Sequence, residues 1–88
     1  MTSRTRRSFW DRFSAMPATV QRLAHAKFVL WKNEPFHPSL HFKELRPSLW
    51  SVRINDNYRA LALKEDDLVV WFWIGTHAEY DRVDAEKV

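Results

Sequence analysis

The sequence has no cysteine, a single glycine and no long apolar segment. Without cysteine, neither disulfides nor thiolate metal sites can hold the chain together, and a reducing cytoplasm is an acceptable compartment. No stretch approaches the roughly 20 apolar residues that span a bilayer, and the basic N-terminus lacks the apolar core of a signal peptide. The sequence therefore predicts a cytoplasmic protein without a membrane partner.

Several motifs of enzyme chemistry are missing as well. There is no G-x-S-x-G, no P-loop and no glycine-rich dinucleotide turn, which excludes serine-hydrolase and nucleotide-dependent chemistry. His37 and His41 have an H-x3-H spacing, but they lie in a loop with two prolines and therefore do not form a helical ligand pair. Neither a metal site nor another cofactor is predicted.

What is present is a dense apolar composition in a short chain. Of the 88 residues, 45% are hydrophobic, and they include five Trp, six Phe and two Tyr. A chain of this length forms one small domain, predicted to span residues 1–88. Residues 1–7, with three arginines, are predicted to be a flexible basic tail. The net charge of +3 favours anionic partners without identifying one.

The spacing of apolar residues predicts two helices followed by strands. Ser8 as N-cap and Asp11 three residues later predict a capping box for a short helix over about 9–15. Pro17 suits the first turn of a second helix that runs to about Lys32. After this helix and the loop that follows it, apolar residues recur with a period of two, which predicts strands at about 41–45, 49–54, 58–64 and 68–74. The fold class is α+β, an N-terminal helical hairpin packed on one face of a mainly antiparallel sheet of about four strands.

The segment LWSVRINDNYRAL, residues 49–61, reads as a hairpin with an arginine close to the turn on each strand. A three-residue loop 55–57, with Asn57 in the left-handed conformation, places Arg53 opposite Arg59. The face towards the helices is then formed by Trp50, Val52, Ile54, Tyr58, Ala60 and Ala62. Both arginines lie on the other face.

Like charges directly opposite on a sheet destabilise it by up to ~1 kcal/mol, so a compensating anion is expected. One alternative is a structural carboxylate such as Asp56, Asp67 or Asp81. The other is an external anion, and planar guanidinium groups suit phosphate.

The segment WFWIGTHAEYD, residues 71–81, ends the last strand with the only glycine and then presents His77 and Tyr80. Positions after strand ends often carry reactive side chains. Histidine is a common general acid or base near neutral pH, so His77 could transfer a proton. Tyr80 could stack on a base or donate a hydrogen bond.

HFKEL, WSVRINDNYRAL and WFWIGTHAEYD, in this order after a helical hairpin, resemble the RelE/ParE superfamily of type II toxin–antitoxin toxins over about residues 17–82. The resemblance implies a RelE-like fold and a cognate antitoxin as partner. For the RelE-like branch it implies metal-free cleavage of mRNA, mostly on the ribosome, with the RNA 2′-hydroxyl attacking the adjacent phosphate. The ParE branch shares the fold, acts on DNA gyrase and lacks the ribonuclease residues.

Carried over residue by residue, the resemblance makes Lys43, Arg53 and Arg59 phosphate-binding residues. It makes Arg53, Arg59, His77 and Tyr80 the catalytic set. The leading hypothesis is an mRNA endoribonuclease that inhibits translation. The alternatives are a ParE-like, non-catalytic toxin that binds DNA gyrase and a non-toxic interaction module of the same fold. The N-terminus departs from the family pattern, because it predicts a helix where many relatives begin with a strand.

Overall fold

Five strands and three α-helices make up the computed structural model, which describes residues 1–86 and their side chains through Val83. The last two residues of the predicted domain lie outside this range. In chain order the elements are β1 (Thr2–Thr5), α1 (Arg7–Ser14), α2 (Ala18–Asn33), β2 (Lys43–Arg46), β3 (Leu49–Arg53), β4 (Tyr58–Glu65), β5 (Leu68–Thr76) and α3 (His77–Glu86). A short 3₁₀ turn precedes β2 at Pro38–Leu40. Among the described residues, no helix is long and apolar enough to span a membrane.

The sheet has the strand order β1-β5-β4-β3-β2. All neighbouring strands are antiparallel except β1, which runs parallel to β5. The short turns between successive strands from β2 to β5 account for the antiparallel pairs. The predicted α+β class with a mainly antiparallel sheet is confirmed.

The N-terminal segment corrects one prediction, because residues 1–7 are not a flexible tail. Thr2–Thr5 form a fifth strand beside β5, and the Thr2 N–H donates to the Asp67 oxygen at 2.8 Å. The Arg6 N–H then donates to the Trp71 oxygen at 2.9 Å. The periodicity of apolar residues did not predict this strand, because its side chains are polar. It is stabilised by hydrogen bonds to the backbone groups at the edge of β5.

Helix α1 continues along the same edge of β5. It begins at Arg7, so the predicted capping box of Ser8 is wrong; the Ser8 hydroxyl instead donates to the Phe72 oxygen at 2.7 Å. The Arg12 Nε donates to the Ile74 oxygen at 2.6 Å. Side chains of α1 therefore satisfy edge carbonyls that a further strand would otherwise bind.

The helical hairpin of α1 and α2 covers one face of the sheet. The second helix starts after Pro17, which is its N-cap and not part of its first turn. The predicted inward face of the β3–β4 hairpin is confirmed, since its six residues either belong to this core or pack against it. The buried residues of this core are Ala24, Trp31, Leu40, Phe42, Val52, Ile54, Ala60, Ala62, Val69, Trp71 and Ile74.

Helix α3 covers part of the opposite face, where Leu49, Leu61 and Tyr80 are buried together. A one-residue irregularity in β5 decides which tryptophan reaches this side. The ladder pairs Leu61 with Trp73, but the next residue of β4 pairs with Trp71. Such a bulge reverses the alternation of side chains, so Trp71 lies in the helix-side core and Trp73 beside the α3 cluster.

Candidate functional site

Arg53 and Arg59 are direct partners in the β3–β4 ladder, as predicted. The turn between them is closed by the Asn55 side chain, whose Oδ1 accepts from the N–H groups of Asn57 at 2.8 Å and Tyr58 at 3.0 Å. Asn57 does not have the predicted positive φ. The hydrogen bonds of the Asn55 side chain close the turn without a left-handed residue. The two arginines therefore leave the sheet on the same face, opposite the helical hairpin.

Each arginine of this pair has a partner within the protein. Arg53 donates from Nη2 to the Asp56 Oδ1 at 2.5 Å. Arg59 donates from Nη1 to the backbone oxygens of Asn55 and Tyr58. Asp56 is therefore the structural carboxylate for Arg53 that one of the two alternatives predicted, whereas Arg59 is bound by neutral carbonyls. One carboxylate beside two guanidinium groups leaves the turn positively charged.

The Asp56 carboxylate is highly exposed, with 90% of its side chain accessible, whereas Arg53 is only 25% exposed. The hydrogen bond from Arg53, together with the charge of Arg53 and then of Arg59, lowers the pKa of Asp56 below its ordinary value. The pair therefore contributes stability above the unfolded-state pKa, and this contribution is lost as the pH falls through the folded-state pKa.

Asp56→Asn is expected to increase the affinity of the turn for anions, because it removes the internal carboxylate that competes for Arg53. On the scale of an exposed ion pair, the Kd for tripolyphosphate should fall about 2-fold to 5-fold at low salt, and this gain should shrink at high salt. Calorimetric titration measures it. Asp66→Asn, in the exposed β4–β5 turn, is the matched control. An equal change in both variants would contradict local competition.

His77 lies beside this turn at the same end of the sheet. It follows β5 directly as the first residue of α3, and its N–H donates to the Asn57 oxygen at 2.7 Å. Its Nδ1 lies 3.0 Å from the Asp81 Oδ2, one helical turn further on. Because a carboxylate only accepts hydrogen bonds, we infer that the proton is on Nδ1, which leaves Nε2 for a reactant. The structure thus brings His77 and the two arginines to one end of the sheet.

Tyr80 and Lys43 occupy different surroundings. Tyr80 is 9% exposed and packs with Leu49 and Leu61, so little of its ring is open for stacking on a base. Its ring centroid is 5.7 Å from that of His77. Lys43 is exposed on the edge strand β2, where it pairs with Ser51. By strand alternation it lies on the face of the arginines, one strand further out.

Two residues near His77 were missed by the sequence reasoning. They are Arg12 of α1 and Glu79 of α3, and the distance from the Arg12 Nη2 to the Glu79 Oε2 is 3.1 Å. Hydrogen bonds to Glu79, from the Thr76 backbone first and then from Arg12, lower the pKa of Glu79. No sequence signal could have paired these residues, because they lie at opposite ends of the chain.

The histidines of the H-x3-H spacing have local surroundings. The His37 Nδ1 accepts from the Ser39 N–H at 3.1 Å and caps the 3₁₀ turn, and His41 ends that turn with a φ of 45°. Among residues with described side chains, no cluster of three His, Asp or Glu could hold a metal ion.

An apolar cavity of about 250 Å³ lies between α1, α2 and the sheet. Its walls include Phe9, Phe13, Phe28 and Trp31. It opens on the helix side, away from the face of Arg53 and Arg59, and takes no part in the site described above.

Comparison with known proteins gives one family match and several similar folds. The family model of the ParE-like toxin domain matches residues 18–82. No curated protein matches the sequence. The fold is similar to that of the YoeB/ParE toxin from Agrobacterium tumefaciens, with a TM-score of 0.68 and 18% identity over 88% of this chain and 99% of that one.

Two further solved structures are similar in fold. A copper-bound mutant toxin from Helicobacter pylori has a TM-score of 0.62 and 21% identity over 90% of this chain and 97% of that one. The isolated E. coli RelE toxin has a TM-score of 0.63 and 13% identity over 97% of both chains. At these identities the likeness concerns the fold.

Proposed function

This chain belongs to the family of ParE-like toxin domains, and we propose that it is the toxin of a type II toxin–antitoxin system and that it cleaves mRNA without a metal ion. The observation that carries the proposal is the convergence of Arg53, Arg59 and His77 at one end of the sheet. Oriented cations and a positioned acid–base group are the main requirements of metal-free phosphodiester cleavage. Cleavage of mRNA would inhibit translation, and a cognate antitoxin would hold the toxin inactive.

In the proposed reaction the RNA 2′-hydroxyl oxygen attacks the adjacent phosphorus. The new O2′–P bond forms while the P–O5′ bond breaks, which leaves a 2′,3′-cyclic phosphate and a 5′-hydroxyl. The 2′-hydroxyl loses a proton and the leaving O5′ gains one. His77 Nε2 is proposed to carry one of these proton transfers.

The guanidinium groups are proposed to bind the non-bridging phosphate oxygens, where negative charge develops. Arg59 is held by neutral carbonyls and therefore keeps its full charge for the phosphate. Arg53 would have to exchange Asp56 for the phosphate. Lys43 is proposed to bind a neighbouring phosphate from β2. Tyr80 would contribute its hydroxyl, since most of its ring is buried.

A second candidate function has one observation in its favour. Asp56 neutralises Arg53, and backbone oxygens bind Arg59, so the hairpin is satisfied without RNA. A non-catalytic toxin that binds DNA gyrase would be expected to have such a hairpin. Both functions predict a cognate antitoxin.

Induction of the toxin in bacterial cells is expected to stop growth and fragment mRNA, with 5′-hydroxyl ends at the cut sites. Mapping of transcript ends measures the cleavage, and an assay of gyrase-linked DNA breaks measures the alternative. Co-expression of a small neighbouring gene product that co-purifies with the toxin should restore growth and is the control. DNA breaks with intact mRNA would replace the proposed function by the second one. Growth unaffected at high expression would contradict both.

A further inference from the structure

We propose that Arg12 is a positioning residue, which fixes the first turn of α3 through Glu79 and thereby holds His77 against the β3–β4 turn. The inference rests on the proposed role of His77 in cleavage. It assigns a role at the site to α1, although α1 and α3 lie at opposite ends of the chain.

The start of α3 is defined by a reciprocal set of hydrogen bonds. The Thr76 hydroxyl accepts from the Glu79 N–H at 3.1 Å, and the Glu79 Oε1 accepts from the Thr76 N–H at 2.9 Å. This is the geometry of a capping box, in which two otherwise unsatisfied N–H groups at a helix start are bound. Because His77 lies inside this box, the box sets where its side chain leaves the helix.

Arg12 binds the remaining oxygen of that box. Its Nη2 lies 3.1 Å from the Glu79 Oε2, while its Nε donates to the Ile74 oxygen at 2.6 Å. The guanidinium also lies over the Trp73 ring, 4.8 Å from its centroid. Arg12 and Glu79 are 35% and 37% exposed, so water screens this pair less than a fully exposed one.

Three contacts in three directions fix the guanidinium plane in a way that a lysine could not reproduce. Ile74 and Trp73 are in β5 and Glu79 is in α3, and the Trp73 side chain packs on the α3 side of the sheet. The Arg12 side chain therefore links α1, the end of β5 and the first turn of α3.

The only glycine of the chain makes room for this arrangement. A Cβ at Gly75 would lie 2.5 Å from the Trp73 ring and 2.8 Å from the Arg12 Nη2. Gly75 is also the ladder partner of Arg59. The layer formed by the Trp73 ring and the Arg12 guanidinium thus lies directly beside the proposed phosphate site.

If Arg12 positions His77, Arg12→Gln should change the surroundings of His77 without unfolding the protein. We expect faster hydrogen exchange at the His77 amide and changed chemical shifts of its imidazole nitrogens, both measured by NMR. The kcat for RNA cleavage should fall about 10-fold to 100-fold, the scale of a misplaced reacting group. The Kd for an uncleavable RNA with a 2′-deoxy residue at the cut site should change little. Arg12→Lys should restore only part of the kcat, and Glu79→Gln should reproduce the Arg12→Gln result.

Arg7→Gln, on the exposed surface of the same helix, is the matched control and should leave all four readouts unchanged. Unaltered His77 exchange and imidazole signals in Arg12→Gln would overturn the positioning role, as would a kcat loss explained entirely by a lower melting temperature. If the unsubstituted toxin cleaves no RNA, the proposed function fails, whereas the NMR comparison still decides whether Arg12 positions His77.

Discussion

Replacing His77 with alanine is expected to lower the rate of RNA cleavage about 10²-fold to 10⁴-fold, the range for loss of a general acid–base group. The proposed reaction needs one proton removed from the 2′-hydroxyl and one delivered to the leaving oxygen, and an imidazole can both accept and donate a proton. Single-turnover cleavage of a defined RNA, with the toxin in excess, measures the chemical step separately from product release.

The fold should survive this substitution. The His77 side chain is 45% exposed, and the hydrogen bond to the Asn57 oxygen comes from the backbone N–H, which alanine retains. His25→Ala, on the exposed surface of α2, is the matched control and should remain active. Cleavage should also persist in EDTA. Full activity of His77→Ala, or a strict requirement for divalent metal, would contradict the assigned role.

Replacing Arg59 with glutamine is expected to lower RNA cleavage about 10²-fold to 10³-fold, comparable with the loss of one donor to a developing oxyanion. Arg53→Gln should have a smaller effect, because Asp56 already competes for that guanidinium. Arg59→Lys should recover only part of the activity, since an ammonium cannot bind phosphate in bidentate fashion. Cleavage rates and the affinity for uncleavable RNA, measured on the three variants, test this order.

Stability should change little in either glutamine variant. Arg59→Gln loses hydrogen bonds to the Asn55 and Tyr58 oxygens, but it also removes the repulsion from Arg53, which is up to ~1 kcal/mol on the cross-strand scale. Arg22→Gln, on the exposed side of α2, provides the control for the loss of one positive charge. Variants with a clearly lowered melting temperature and full activity would show that the arginines serve the fold and not the phosphate.

The placement of the candidate site residues was predictable from the sequence where short-range geometry decides it. The length of the 55–57 loop and the alternation of β3 and β4 determine that Arg53 faces Arg59, although the turn is closed by Asn55 and not by a left-handed Asn57. The placement of His77 beside that turn follows from the antiparallel return of β5. The ion pair of Arg53 with Asp56 was open between two alternatives until the turn geometry was known.

The sequence by itself determined the α+β class, the order of helices and strands from α1 to β5, and which face of the hairpin carries the arginines. These features depend on the hydrophobic period and on turn length, and residues close together in the chain determine both. Only the tertiary structure decided that polar Thr2–Thr5 form a strand, that a bulge sends Trp73 to the α3 side, and that Arg12 reaches Glu79. Each of these depends on backbone groups or side chains far apart in the chain, so no local pattern encodes them.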